Sequence, residues 1–267
     1  MTDFLHVLEA EMERPGNYGW FHLVALALVI LVTFLLCRFA RKISDRKFRL
    51  TVFLFWIVLV LFETYKQVIF SFNYNDGQPT WDYQWYAFPF QFCSSPIYIL
   101  PFIFLSQEDS VIRKAAVAYS ATYVLFAGVA VMLYPNDVFV KTIGINIQTM
   151  VWHGSQVILG IWFLARHQRT FNLKFFLGGV IVFLCMTAVA MVLNMTVPNF
   201  IGGETFNMYY ISPLFPSTLP VLSIIYPLVP WIVFFLLYLI GYTLVAFLVY
   251  QIARIIQNLT VKKKAAA

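Results

Sequence analysis

One cysteine and one histidine stand where an apolar chain has least reason to keep them. Residues 88–101 read FPFQFCSSPIYILP. The run is apolar enough to enter a bilayer, yet it carries Gln91, Cys93, Ser94 and Ser95 among Pro89, Pro96 and Pro101. A thiol of ordinary pKa about 8.5 becomes a nucleophile when a base takes its proton or a cation stabilises the thiolate. His153 is the one histidine deep inside an apolar run, and a neutral imidazole is such a base. Gln91, Ser94 and Ser95 carry donors able to meet an oxyanion. The chemistry this set suits is acyl transfer through a thioester. The plain structural reading is that cysteine fills cores as a small hydrophobe and serine serves helix contacts.

Further polar residues accompany the pair. Asn146, Thr149, His153 and Gln156 follow a three, four, three spacing and share one helix face, which Gly160 continues. This stripe reads as a pocket wall. Glu63, Lys66 and Gln67 lie inside another apolar run, and ionisable groups there face the bundle interior or water. Glu63 and Lys66 are neighbours on one face, so they are expected to pair, with Gln67 within reach. Asn146, Gln156 or Glu63 would orient the second nitrogen of His153.

These side chains need a membrane scaffold. The 267 residues are 61% hydrophobic and 11% charged, outside soluble composition. Their apolar runs predict an all-α fold, a polytopic bundle of seven transmembrane helices in a single domain over 1–267. The expected spans are 19–37, 50–72, 88–105, 112–134, 143–165, 174–197 and 227–250. Apart from Arg14, Lys66 and Lys141, every Lys and Arg falls at the span ends and loops of one side, including Arg169 and Lys262 to Lys264 in the tail. That places the N-terminus outside and the C-terminus in the cytoplasm. Residues 1–18 form an acidic segment, 73–87 an outer loop with Asp76, 198–226 a proline-rich outer segment that reads as a lid, and 251–267 a basic tail with terminal alanines that look like a cloning scar. The fourth span is nearly featureless and reads as scaffold.

The net charge of +6 follows topology and does not indicate nucleic acid. Cys37, Cys93 and Cys185 all sit in apolar runs and suit neither disulfides nor zinc. No metal-ligand spacing and no phosphate-binding glycine loop is present, so no metal or cofactor is expected. The polar residues fall in the outer half, which predicts one outward-opening cavity with Cys93 and His153 facing each other across it. Cys93 lies roughly 8 Å into its span and His153 roughly 15 Å into its own, at 1.5 Å per residue. Kinks at Pro89 and Pro96, helix tilt or a different span boundary are the expected means of closing that offset.

At these residues the chain resembles the YwaF-type bacterial integral membrane proteins, whose animal relatives are ether-phospholipid acyltransferases. The resemblance rests on Pro89-Phe90-Gln91-Phe92-Cys93, on His153-Gly154 and on Asn207-Met208-Tyr209-Tyr210. It implies a catalytic Cys93 and His153, with Asn207 and Tyr209 beside the substrate. Gln91 stands where the pattern often has histidine, and Asn207-Met208-Tyr209 stands where it usually reads Asn-Tyr-Met. The resemblance also implies a location in the bacterial cytoplasmic membrane. Two functions are therefore expected as alternatives. One is a lipid acyltransferase with membrane lipids as partners. The other is a non-enzymatic small-molecule or lipid binding or transport protein.

Overall fold

The computed structural model describes residues 2–75, 78–167 and 171–265, so Asp76 and Arg169 lie outside the described residues. The helices are α1 (Thr2–Leu8), α2 (Trp20–Phe39), α3 (Asp45–Ile69), α4 (Ser95–Leu105), α5 (Val111–Tyr119), α6 (Leu125–Leu133), α7 (Ile143–Arg166), α8 (Leu173–Thr196), α9 (Pro220–Ile225) and α10 (Trp231–Ala265). A π-helical stretch, Ser120–Val124, joins α5 to α6 as one continuous rod. Five helical stretches among the described residues are long and apolar enough to cross a membrane: Trp20–Phe39, Asp45–Ile69, Val111–Leu133, Leu173–Asn199 and Trp231–Leu259. Phe92–Leu105 is apolar but shorter. α7 spans 24 residues, but its polar stripe keeps it out of the apolar five.

Helix starts follow local chemistry. Ser44 caps α3 by accepting from Lys47 N, Ser110 caps α5 by accepting from Arg113 N, and Asn172 caps α8 by accepting from Phe175 N. Pro96 sits in the first turn of α4, where a missing N–H costs nothing. It therefore marks a helix start, not the expected kink. The third span accordingly begins at Ser95, while residues 85–94 run through two short 3₁₀ turns. Pro101 lies inside α4.

Two expectations are corrected. The fold is not purely helical, because β1 (Phe72–Asn75) and β2 (Gln78–Trp81) form an antiparallel hairpin with Phe72 opposite Trp81. The fourth span is not bland scaffold. Residues 111–133 are 67% buried against 6% for α2, so that rod is a core element and α2 faces lipid. Its α5 half packs on α8, where Gly178 and Gly179 lie against Ala115, Ala118 and Tyr119. Its α6 half packs on α7, where a Cβ on Gly128 would come within 2.8 Å of His153 O and one on Gly160 within 2.6 Å of Leu125. α7 also meets α2 and α3, which makes it the central helix.

The acidic N-terminal segment docks on the α6–α7 connection. Met12 N donates to Lys141 O, Ile143 N to Ala10 O and Tyr65 Oη to Leu8 O. At the opposite end a cluster of ions ties three connections together, α2–α3, α4–α5 and α7–α8. Arg113, buried, pairs with Asp45 and lies 4.9 Å from the Phe48 ring centre. Arg166 donates to Ala40 O at 3.3 Å and Ile43 O at 2.9 Å, pairs with Glu108 at 3.1 Å, and takes the other position over Phe48 at 4.5 Å. Beside them His167 donates from Nδ1 to Phe163 O, and burial pushes its pKa down to about 4.

Candidate functional site

The thiol-bearing turn is fastened to α7 at the level of His153. Trp152 Nε1 donates to Cys93 O at 2.9 Å and Gln156 Nε2 donates to the same oxygen at 2.7 Å. These donors flank His153 in sequence, so the two segments meet at one depth. The offset predicted from ideal helices disappears because residues 88–91 are not helical, and no kink is needed. His153 is buried and its Nδ1 lies 2.9 Å from Thr149 O. A carbonyl only accepts, so Nδ1 carries the proton and Nε2 keeps its lone pair. That nitrogen has no hydrogen bond among the described residues. The orienting group is therefore Thr149 O, one turn back on the same helix, in place of Asn146, Gln156 or Glu63.

A charged group flanks this contact. Glu63 is buried and its Oε1 accepts from Lys66 Nζ at 2.8 Å and from Gln67 Nε2 at 2.7 Å, as the spacing predicts. Gln67 also donates to Ala87 O and accepts from Tyr83 Oη at 2.6 Å. Burial and the Glu63 carboxylate push the Tyr83 phenol up to about 12. Lys66 lies within electrostatic range of both Cys93 and His153, and Glu63 within range of Cys93. Glu63 Oε2 is buried without a partner. An orphaned buried oxygen costs about 1–3 kcal/mol, more when charged, so such atoms mark places a ligand or water completes.

Several carboxamides serve the backbone instead. Gln91 donates to Asn207 O and accepts from Tyr209 N, both at 3.1 Å. Asn194 brackets Met208 in the same way, at 2.9 and 2.7 Å. Asn207 accepts from Ser212 N and donates to Phe215 O and Pro216 O. Asn146 both donates to and accepts from Val140. Gln91 and Asn146 thus have their amides engaged in holding chain. Thr149 Oγ1 makes only a long 3.4 Å contact to Gln148. Ser94 is buried, and Ser95 Oγ accepts from Tyr119 Oη at 3.0 Å.

The clamped segment carries strain. Tyr209 and Tyr210 both have φ of 58°, a left-handed conformation rare for bulky residues. Tyr209 stacks on Phe90 and meets Phe92 edge-on at 5.3 Å, and Phe92 also meets Tyr242 at 5.0 Å. Tyr119, Tyr209, Tyr210 and Tyr242 all come within electrostatic range of the Cys93 thiol. The hydroxyls of Tyr209 and Tyr238 fall outside hydrogen-bond geometry although Tyr119 and Tyr242 lie beside them. Gln156 Oε1, Ser120 Oγ and Thr187 Oγ1 are buried without partners. The sequence reading missed this phenol cluster. Its signal was available as tyrosines four apart, Tyr119 with Tyr123 and Tyr238 with Tyr242, inside apolar runs.

Three cavities bear on the expected outward-opening one. The largest, about 670 Å³, lies at the arginine-rich end. A second, about 440 Å³, lies among Trp81, Asp82, Tyr83, Trp85, Phe88 and Glu204. The third, near Gln156 and Pro96, is about 10 Å³, smaller than one water. Cys93 and His153 line none of these three, because the aromatic rings around Phe92 and Trp152 fill the space beside them.

Among the described residues no cluster of three or more His, Cys, Asp or Glu side chains is placed to hold a metal ion. Comparisons with curated proteins and with solved structures return no match. A family model does match, over residues 17–253, and with it the apolar helices make this an integral membrane protein. The chain belongs to the TMEM164 family.

Proposed function

We propose that the protein is a membrane-embedded lipid acyltransferase working through Cys93 and His153. The observation that supports this reading is the pair of hydrogen bonds that Trp152 and Gln156, either side of His153 on α7, donate to Cys93 O, together with a His153 Nε2 that is unengaged among the described residues. In the proposed reaction His153 Nε2 takes the Sγ proton. The thiolate attacks a lipid ester carbonyl, a thioester forms, and the leaving alkoxide takes the proton back. A second lipid hydroxyl then attacks the thioester, giving its proton to Nε2 and returning the thiol. The resemblance to YwaF-type proteins and their ether-lipid relatives supports the same pair, and membrane lipids are then the partners.

The same proposal includes seven spans. α4 with its preceding turn and α7 join the five apolar helices, with the N-terminus outside and the C-terminus in the cytoplasm of a bacterial cell. The distribution of Lys and Arg supports this orientation. The test uses membranes holding protein in which Cys37 and Cys185 are replaced by alanine. An iodoacetamide-type probe should label this background, fail on Cys93→Ala, and react roughly 10²-fold or more slowly on His153→Ala. Acyl exchange between phospholipids should be lost in both variants. Equal labelling of the background and His153→Ala, with unchanged acyl profiles, would leave binding or transport as the function.

A further inference from the structure

The cavity of about 670 Å³ belongs to no part of the chemistry above. Its floor is α7, where Ile161 faces it, and its sides are the end of α2 and the stretch of α10 from Val249 to Gln257. Those nine residues of α10 cover roughly 12 Å, eight rises of 1.5 Å, enough to run from a headgroup layer into the acyl layer. The walls are mostly aliphatic. Arg38, Arg41 and Lys42 gather at one end, and no carboxylate lines the space.

The state of those cations decides what the cavity suits. All three side chains are exposed and none has an ion pair or hydrogen bond among the described residues. The nearby acids are already matched: Asp45 pairs with Arg113, and Glu108 with Arg166. Three uncompensated cations over an aliphatic slot complement an amphiphile with an anionic head. A cavity of this volume lies within the usual range for small-ligand sites, roughly 300–1,000 Å³. Basic pockets between transmembrane helices on the positive side are suited to anionic headgroups.

We propose that this cavity is a binding site for one anionic phospholipid, its phosphate on Arg38, Arg41 and Lys42 and its first acyl carbons against Ile161, Val249 and Ala253. The site is separate from Cys93, so its occupant is a bound lipid and not an acyl donor in the reaction proposed above.

The test is native mass spectrometry of the purified full chain in detergent with added phosphatidylglycerol or phosphatidylcholine. Wild type should retain phosphatidylglycerol about tenfold or more in preference to phosphatidylcholine. The triple change Arg38→Gln, Arg41→Gln and Lys42→Gln should abolish the preference. Ala253→Trp keeps every charge but fills the slot, and it should lose phosphatidylglycerol while its elution and melting profile stay those of wild type. Equal retention of the two lipids by wild type would overturn the proposal without any variant. So would undiminished binding by Ala253→Trp, which would put the lipid on the outer belt of the helices. Displacement of phosphatidylglycerol by excess inorganic phosphate would also overturn it, because the site would then hold an ion and not a lipid.

Discussion

The two ends of the bundle hold their connections with different chemistry. Around the 88–91, 140–146 and 207–216 segments the fasteners are mainly carboxamides. Gln91, Asn194, Asn207 and Asn146 each place a carboxamide against main-chain N–H and C=O, replacing a missing strand. At the arginine-rich end they are ionic. Arg113 and Arg166 both lie over the Phe48 ring and reach two carboxylates, and Arg166 supports the carbonyls of the α2–α3 turn. A carboxamide satisfies a donor and an acceptor without a net charge, so it can sit beside a thiol without setting its ionisation. A guanidinium offers five donors but needs an anion nearby when buried. Carboxamide fasteners thus lie near Cys93, and the buried guanidinium pairs lie at the far end.

This contrast can be broken by substitution. Arg113→Met should have the largest effect, about 3 kcal/mol of destabilisation, since it strips a buried cation from Asp45. Thermal unfolding in detergent measures it. A loss no larger than that from Asn194→Leu would show that the arginine-rich end is not the stronger clasp. Asn194→Leu leaves Met208 N–H buried and unpaired and Met208 O with only the long 3.5 Å contact from Ile211 N, and should cost about 2 kcal/mol. Its signature is local: hydrogen exchange at the Met208 and Tyr209 amides should accelerate while α5 and α8 stay protected. Gln91→Leu should act in the same place by about 1 kcal/mol, with a partner N–H released at Tyr209.

The smallest effect concerns pH. His167 is held neutral, with its pKa lowered from an ordinary 6.5 to about 4. The unfolded chain therefore binds more protons between those values, so stability is full above about 6.5 and falls as pH drops toward 4. His167→Gln should flatten that part of the melting-temperature profile and leave the profile above pH 7 in place. An unchanged slope would remove His167 from the acid response of the arginine-rich end.

Much of the scaffold was legible. Runs of aliphatic residues report helices that cross lipid, and the three- and four-residue steps from Glu63 reported the contacts to Lys66 and Gln67. The start of α4 was not legible: a proline in an apolar run suits a kink as well as a first turn, and the sequence places the span's start at 88 where the helix begins at Ser95. Nor was the fate of the carboxamides. An asparagine in an apolar run has the same spelling whether it faces a ligand or brackets a peptide group, and the difference lies in loops such as 207–216 that pattern does not place. The hairpin at 72–81 was hidden for a similar reason, because its four-residue strands are too short for alternation to show. The meeting of Cys93 with α7 depends on non-helical backbone at 88–91, which ideal helix depths misjudge.

The π-helical stretch at Ser120–Val124 has a consequence for how the rod tolerates change. One extra residue in a turn advances everything after it by about 100° and 1.5 Å relative to an unbroken α-helix. The stretch thus works as a phase shifter between two reading frames. In the first frame Ala115 and Ala118 address the glycines of α8; in the second Leu125 and Gly128 address Gly160, Gln156 and His153. Removing a single residue between 120 and 124 would leave the first frame aligned and rotate the second away from α7. A change in a helix that never touches the thiol would then release the backing of its proposed base.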